Sequence, residues 1–104
     1  MTITRQVVEG RQVQGASERI AYALTTTPWG ASPSAPTCKL YDVTLDARTD
    51  VSSAKLSGSA SAVGDVITTP LVIALTAGNL YRLEIQFVTG GNTLIAWAEI
   101  AAEA

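Results

Sequence analysis

The sequence predicts an all-β domain of the sandwich or barrel type, on three observations. Runs rich in β-branched residues recur about every ten residues with turn residues between them. Helical periodicity is absent. In "LTAGNLYRLEIQF", Leu75 to Phe87, a turn leads into a stretch that alternates apolar and polar side chains from Tyr81 to Phe87, the two-residue period of a pleated strand. The runs read as strands are Ile3 to Val8, Arg19 to Thr26, Thr37 to Thr44, Ala54 to Leu56, Ser59 to Val63, Val66 to Thr69, Leu80 to Val88 and Thr93 to Ile100. About seven to eight strands are therefore expected. In the second run Ile20, Tyr22 and Leu24 share the face expected to be core, with Arg19, Ala21 and Ala23 on the other.

Punctuation between the runs is explicit. "TTTPWGASPSAP", Thr25 to Pro36, holds three prolines and a glycine and reads as a long surface loop that no strand ladder can cross. "VGDV", Val63 to Val66, places Gly64 and Asp65 where a two-residue hairpin turn needs positive φ. The last hairpin turns at Gly90 and Gly91. That turn sets Phe87 opposite Leu94, Ile85 opposite Ala96, Leu83 opposite Ala98 and Tyr81 opposite Ile100 on one side. The other side pairs Val88 with Thr93, Gln86 with Ile95, Glu84 with Trp97 and Arg82 with Glu99. Ile95 and Trp97 then point away from the core, a costly arrangement unless another protein covers them. "RQVVEG" and "RQVQG" echo each other, but one echo does not make a repeat architecture.

At 104 residues the chain is expected to form a single domain over 1–104, with residues 1–18 as an extended arm able to pair with a neighbour's sheet edge. A net charge of -2, with seven scattered basic residues, argues against nucleic-acid binding, which needs clustered Lys and Arg. Charged residues are 15% of the chain and apolar ones 47%, which suits a subunit covered in an assembly better than a free monomer. No stretch resembles a membrane span, and "MTITRQVVEG" lacks the apolar run of a secretory signal, so synthesis in a reducing cytoplasm is expected. The start at Met1 argues against a domain excised from a larger protein.

Catalytic and cofactor chemistry finds no foothold. Histidine is missing altogether, which removes the usual general base and the commonest metal ligand. Cys38 alternates with Leu40 in a strand and reads as a small buried hydrophobe. Asp42, Asp46 and Asp50 recur at four-residue spacing but fit no calcium-loop pattern, and read as turn acids. Glu84 and Glu99 lie on a flat sheet face without the cleft an acid pair needs. Trp29, Tyr41 and Trp97 raise the rival idea of a sugar-stacking surface. Core or interface packing is favoured over it, because six aromatic residues in the whole chain are few.

In "LTAGNLYRLEI", Leu75 precedes Tyr81 by six positions with Gly78 in the turn between them. This resembles the tyrosine corner of Greek-key sandwiches, in the fibronectin type III form except that Ala77 stands where proline is usual. The resemblance implies an immunoglobulin-like, fibronectin type III-like Greek-key β-sandwich with a structural role for Leu75, Gly78 and Tyr81. More broadly, "TTTPWGASPSAP", "LYDVT", "KLSGSASAVGDVITTPLV" and "LTAGNLYRLEIQFVTGGNTL" resemble small immunoglobulin-like virion proteins of tailed bacteriophages. That likeness implies a non-enzymatic virion structural protein without cofactor, first a capsid decoration or cement subunit, next a neck or tail component. Its partners would be the major capsid protein, other virion proteins or further copies of itself. Trp29, Ile95 and Trp97 are the contact residues expected for such a role.

Overall fold

The structure, a computed structural model, describes the backbone of residues 2–6 and all of residues 11–104. The described chain is mostly strand, with little helix. Its strands are β1 (Thr2–Gln6), β2 (Gln12–Gly15), β3 (Ala23–Thr25), β4 (Ser34–Asp42), β5 (Thr49–Asp50), β6 (Leu56–Ser57), β7 (Ser61–Val63), β8 (Val66–Thr68), β9 (Leu71–Val72), β10 (Leu80–Thr89) and β11 (Asn92–Glu103). One helical turn, α1 (Ser52–Lys55), and a 3₁₀ turn at Thr44–Asp46 interrupt them.

A six-stranded sheet runs β1-β11-β10-β4-β5, with β2 also on β11. Both β1 and β2 lie parallel to β11, against Thr93 to Trp97 and Ile100 to Glu103 respectively. The segment expected as a free arm thus lies, in its described parts, along the domain's own sheet. Val7 and Val8 of the first expected strand fall outside the described residues. A second, three-stranded sheet has the order β3-β8-β7, and β6 pairs with β9. The molecule measures 40 × 24 × 24 Å. A strand of β11's length spans about 40 Å, so it runs the full long dimension.

The β10–β11 hairpin adopts the register read from the sequence, including Phe87 opposite Leu94 and Glu84 opposite Trp97. Gly90 and Gly91 close it at φ 56° and 79°, a backbone that side chains resist. Tyr81, Leu83, Ile85 and Phe87 of β10 face inward beside Leu94, Ala96 and Ile100 of β11 and Leu40 of β4, all buried. Leu24 of β3, Ile67 of β8 and Val72 of β9 join the same cluster, so the sheets share one sandwich-like core. Each such side chain contributes about 1.5–3 kcal/mol when fully buried.

Several strand limits differ from the sequence reading. β4 starts at Ser34, inside the stretch expected to be loop. Thr37 faces Gln86 and Ser34 faces Val88, so Ala35 and Pro36 together stand opposite Phe87. This bulge, with Ala35 at φ 51°, is how a proline enters a strand without breaking the ladder. The same strand stops at Asp42, whose carboxylate accepts the Thr44 N–H at 3.0 Å and turns the chain. The run expected from Arg19 keeps only β3 and a single bridge, Ile20 to Val72. There the Tyr22 N–H goes to the Thr69 hydroxyl at 2.9 Å instead of a backbone carbonyl. Ala54 sits in α1 rather than a strand, because the Asp50 carboxylate takes the Ser52 N–H at 2.9 Å and starts a turn.

Two polar groups inside the core fix the connections. Gln14 is fully buried. Its amide donates to Val72 O at 2.8 Å and Glu18 O at 3.1 Å and accepts the Tyr22 hydroxyl at 2.8 Å, joining β2 and β9 through one side chain. Tyr81, equally buried, accepts the Thr76 N–H on its hydroxyl at 2.9 Å and holds the turn that leads into β10.

A third tie is on the surface. Asp65 accepts the Ser32 N–H and the Thr27 hydroxyl, both at 2.9 Å, and fastens the loop before β4 to the β7–β8 hairpin. Those two bonds hold its carboxyl below the usual carboxylate range. Asp50 is lowered by the Ser52 hydroxyl and N–H. Asp42 is lowered too, since bonds from Thr44 and Asn79 outweigh an upward push from desolvation.

Replacing Gln14 with Leu takes the Tyr22 hydroxyl's partner away and leaves the Val72 carbonyl with the Ile20 N–H alone, and is expected to cost about 1–3 kcal/mol in denaturant unfolding. Tyr81→Phe is expected to cost about 1 kcal/mol by the same measurement. Because the three aspartates have depressed folded-state pKa values, their stabilisation is complete above the unfolded carboxylate value of about 3.9 and is lost as pH falls through the folded values. Thermal scans should show midpoints falling on acidification below about pH 4, with a shallower fall in Asp65→Asn.

Candidate functional site

The outward face of the six-stranded sheet carries the densest set of interacting side chains. On β10 the outward residues Arg82 and Glu84 stand between Lys39 and Tyr41 of β4 and Trp97 and Glu99 of β11. Arg48, just before β5, lies with its guanidinium 4.2 Å from the Tyr41 ring centre and its Nη2 3.1 Å from Glu84 Oε2. The Glu84 oxygen also meets Arg82 Nε at 2.9 Å. That approach is off the N–H direction, so Arg82 Nε gains an ionic contact but no directed hydrogen bond. The Arg82 guanidinium stacks 4.1 Å from the Trp97 ring centre. A rail of alternating ring, cation and acid thus crosses the sheet from Tyr41 to Trp97. Solvent screens the exposed Arg48 contacts, so the part of the rail nearest the core, Arg82 between Glu84 and Trp97, is the better held.

Beside this rail lies a cleft of about 320 Å³ with Val43, Ala47, Leu80 and Trp97 as its apolar lining and Asp46, Arg48, Arg82 and Glu99 as its charged lining. Glu99 does not pair with Arg82, its cross-strand neighbour, but with Arg11 at 3.0 Å. At the edge of the cleft the chain makes an unusual turn. Leu45 has φ 55° and ψ 40°, and Asp46 has φ 65°. Aspartate tolerates the left-handed region, but a leucine there costs roughly 1–2 kcal/mol. The turn nevertheless leaves the Leu45 side chain 95% exposed.

The expected contact residues separate. Ile95 and Trp97 do lie on the outward face, both half-buried, Trp97 beneath Arg82. Trp29 is elsewhere: its ring stacks on Phe87 at 6.3 Å between centres and packs against the core. Gly30 beside it allows the chain to pass Thr89, since a Cβ there would meet the Thr89 side chain at 2.5 Å. Trp29 therefore closes one end of the core and does not join the outward pair. Leu75 is buried, Gly78 turns at φ 89°, and Tyr81 bonds back to Thr76. Cys38 is half-buried against the core, and desolvation pushes its thiol up to about 12.

Asp42, Asp46 and Asp50 do not converge. The first and last cap the turns at Thr44 and Ser52. Among the described residues no three His, Cys, Asp or Glu side chains gather as a metal site would require. No helix among them is long and apolar enough to cross a membrane. Leu45 and Arg48 escape sequence reading: nothing in "YDVTLDARTD" signals that the lone leucine will sit on left-handed backbone. Compared with models of known protein families and with curated proteins, the sequence matches none.

Glu84→Ala is expected to release both guanidiniums. In a Trp29→Phe background, where Trp97 is the sole tryptophan, acrylamide quenching of tryptophan emission should then rise as Arg82 leaves the ring; unchanged quenching would mean that Glu84 does not hold the stack.

Proposed function

We propose that this chain is a non-catalytic structural subunit of a tailed-phage virion, a capsid decoration or cement protein that docks through the outward face of its six-stranded sheet. The observation that carries the docking role is Leu45, almost fully exposed on strained backbone at the rim of a cleft lined by Trp97. Bonds from Asp42, Thr44 and Leu80 hold the turn within the molecule, but nothing in the isolated molecule covers the leucine side chain that the turn displays. Docking by area needs no turnover, and repeated weak contacts across a shell add through avidity.

The virion setting rests on the resemblance of the sequence to small immunoglobulin-like phage proteins. The strand order supports the same family of folds. With β1 and β2 together as the first strand, β11-β10-β4-β5 follows the G-F-C-C′ order and β3-β8-β7 the B-E-D order of an immunoglobulin-like Greek key. The backward bond of Tyr81, the second residue of β10, has the form of a tyrosine corner. A sugar-stacking surface finds less support, because guanidiniums already cover the rings of Tyr41 and Trp97, and Trp29 faces the core.

Particles of the encoding virus, purified and analysed by mass spectrometry, are expected to contain the chain in fixed proportion to the coat protein. Trp97→Ala should reduce its retention on particles by roughly tenfold or more while the circular dichroism spectrum stays β. A chain missing from particles, or one held on immobilised glycans through Trp97, would contradict the reading.

A further inference from the structure

The cleft and the exposed leucine are neighbours in the chain, and that adjacency identifies an occupant. Leu45 is flanked by Val43, Asp46 and Ala47, all three of which line the cleft. We propose that a second copy of this chain completes the surface, with Leu45 of each protomer entering the cleft of the other about a twofold axis. The inference rests on the reading of the outward face as a docking surface and names its first partner.

Four observations support it. A protrusion and a hollow side by side are self-complementary under a twofold rotation: when one protomer inserts, the same rotation inserts the other, and the contact closes without propagating into a filament. The hollow of about 320 Å³ has room for an isobutyl group and offers it the apolar side chains of Val43, Ala47 and Leu80. Its charges balance, with Arg48 and Arg82 facing Glu84, and Glu99 facing Arg11, within the protomer, so an identical face approaches without a one-sign excess, and a net charge of -2 opposes pairing little. Finally, a standard interface takes about 800 Å² per partner, roughly one seventh of the 5571 Å² surface, and a 40 × 24 Å side of the molecule can supply that.

Other exposed apolar residues do not offer this. Val63 and Val66 flank the β7–β8 turn and Val13 lies on β2, all within regular strands and outside the cleft.

Sedimentation equilibrium of the full chain from micromolar to millimolar concentration tests the inference. The mass is expected to rise from 10.8 kDa toward twice that value. Leu45→Asp should raise the dimer dissociation constant roughly tenfold or more. Leu45→Gly should do two opposite things: weaken the dimer, because the protrusion is gone, and raise the thermal midpoint of the monomer, because glycine accepts the left-handed backbone. A wild-type chain that stays monomeric at millimolar concentration, or a Leu45→Gly chain that dimerises as tightly as wild type, overturns the proposal. A monomer that still decorates particles overturns the dimer and leaves the docking reading intact; a Leu45-dependent dimer absent from particles supports the dimer and removes the virion role.

Discussion

The pleat of the β10–β11 hairpin is the constraint on which the rest of the structure depends. Because side chains alternate strictly across a sheet, the register that buries Tyr81, Leu83, Ile85 and Phe87 also sends Arg82, Glu84, Ile95 and Trp97 to the opposite face. A slip of one residue would exchange the two sets and place an arginine and a glutamate in the core. The two glycines of the turn hold that register, and the neighbouring strands β4, β1 and β2 inherit it.

Core packing alone would leave the connections between sheets loosely defined, since hydrophobic contact has no direction. Directed bonds supply what it lacks. Gln14, Thr69 and Tyr81 each spend a buried polar group on the backbone of another segment. An unpaired group at any of these positions would cost more than the bond itself contributes, so each works mainly by penalising other arrangements. On the surface, Asp42, Asp50 and Asp65 do comparable work at turns, with stabilisation that depends on their ionisation.

How much of this was legible in the sequence follows from how local each feature is. The final hairpin could be read pair by pair, because the period-two pattern and a Gly-Gly turn are properties of adjacent residues. The β7–β8 hairpin was legible for the same reason, through its Gly64–Asp65 turn. Other short strands were not: β2 and β9 are held by partners far along the chain, β9 follows a proline that reads as a break, and β5 is two residues, too short to show a period. Pro36 misled for the opposite reason: a bulge, invisible in the sequence, lets it sit within β4. For the site, alternation placed Ile95 and Trp97 outward, but Trp29 turned to the core through a contact with Phe87 that sequence spacing cannot encode. The left-handed turn at Leu45 arises where Asp42 and Thr44 tie the end of β4 to Leu80, a tertiary effect with no local signature.

Both the strained turn and the Arg82-covered tryptophan lie on the same side of the domain, while the β7–β8 hairpin exposes Val63 on the other sheet. The central claim is that the former side is the one an assembly covers. Hydroxyl-radical footprinting of the chain, assembled against free, tests it most directly. Protection on assembly should fall on Leu45 and Trp97 and leave Val63 as reactive as before. Protection of Val63 with Leu45 and Trp97 unchanged would contradict the account.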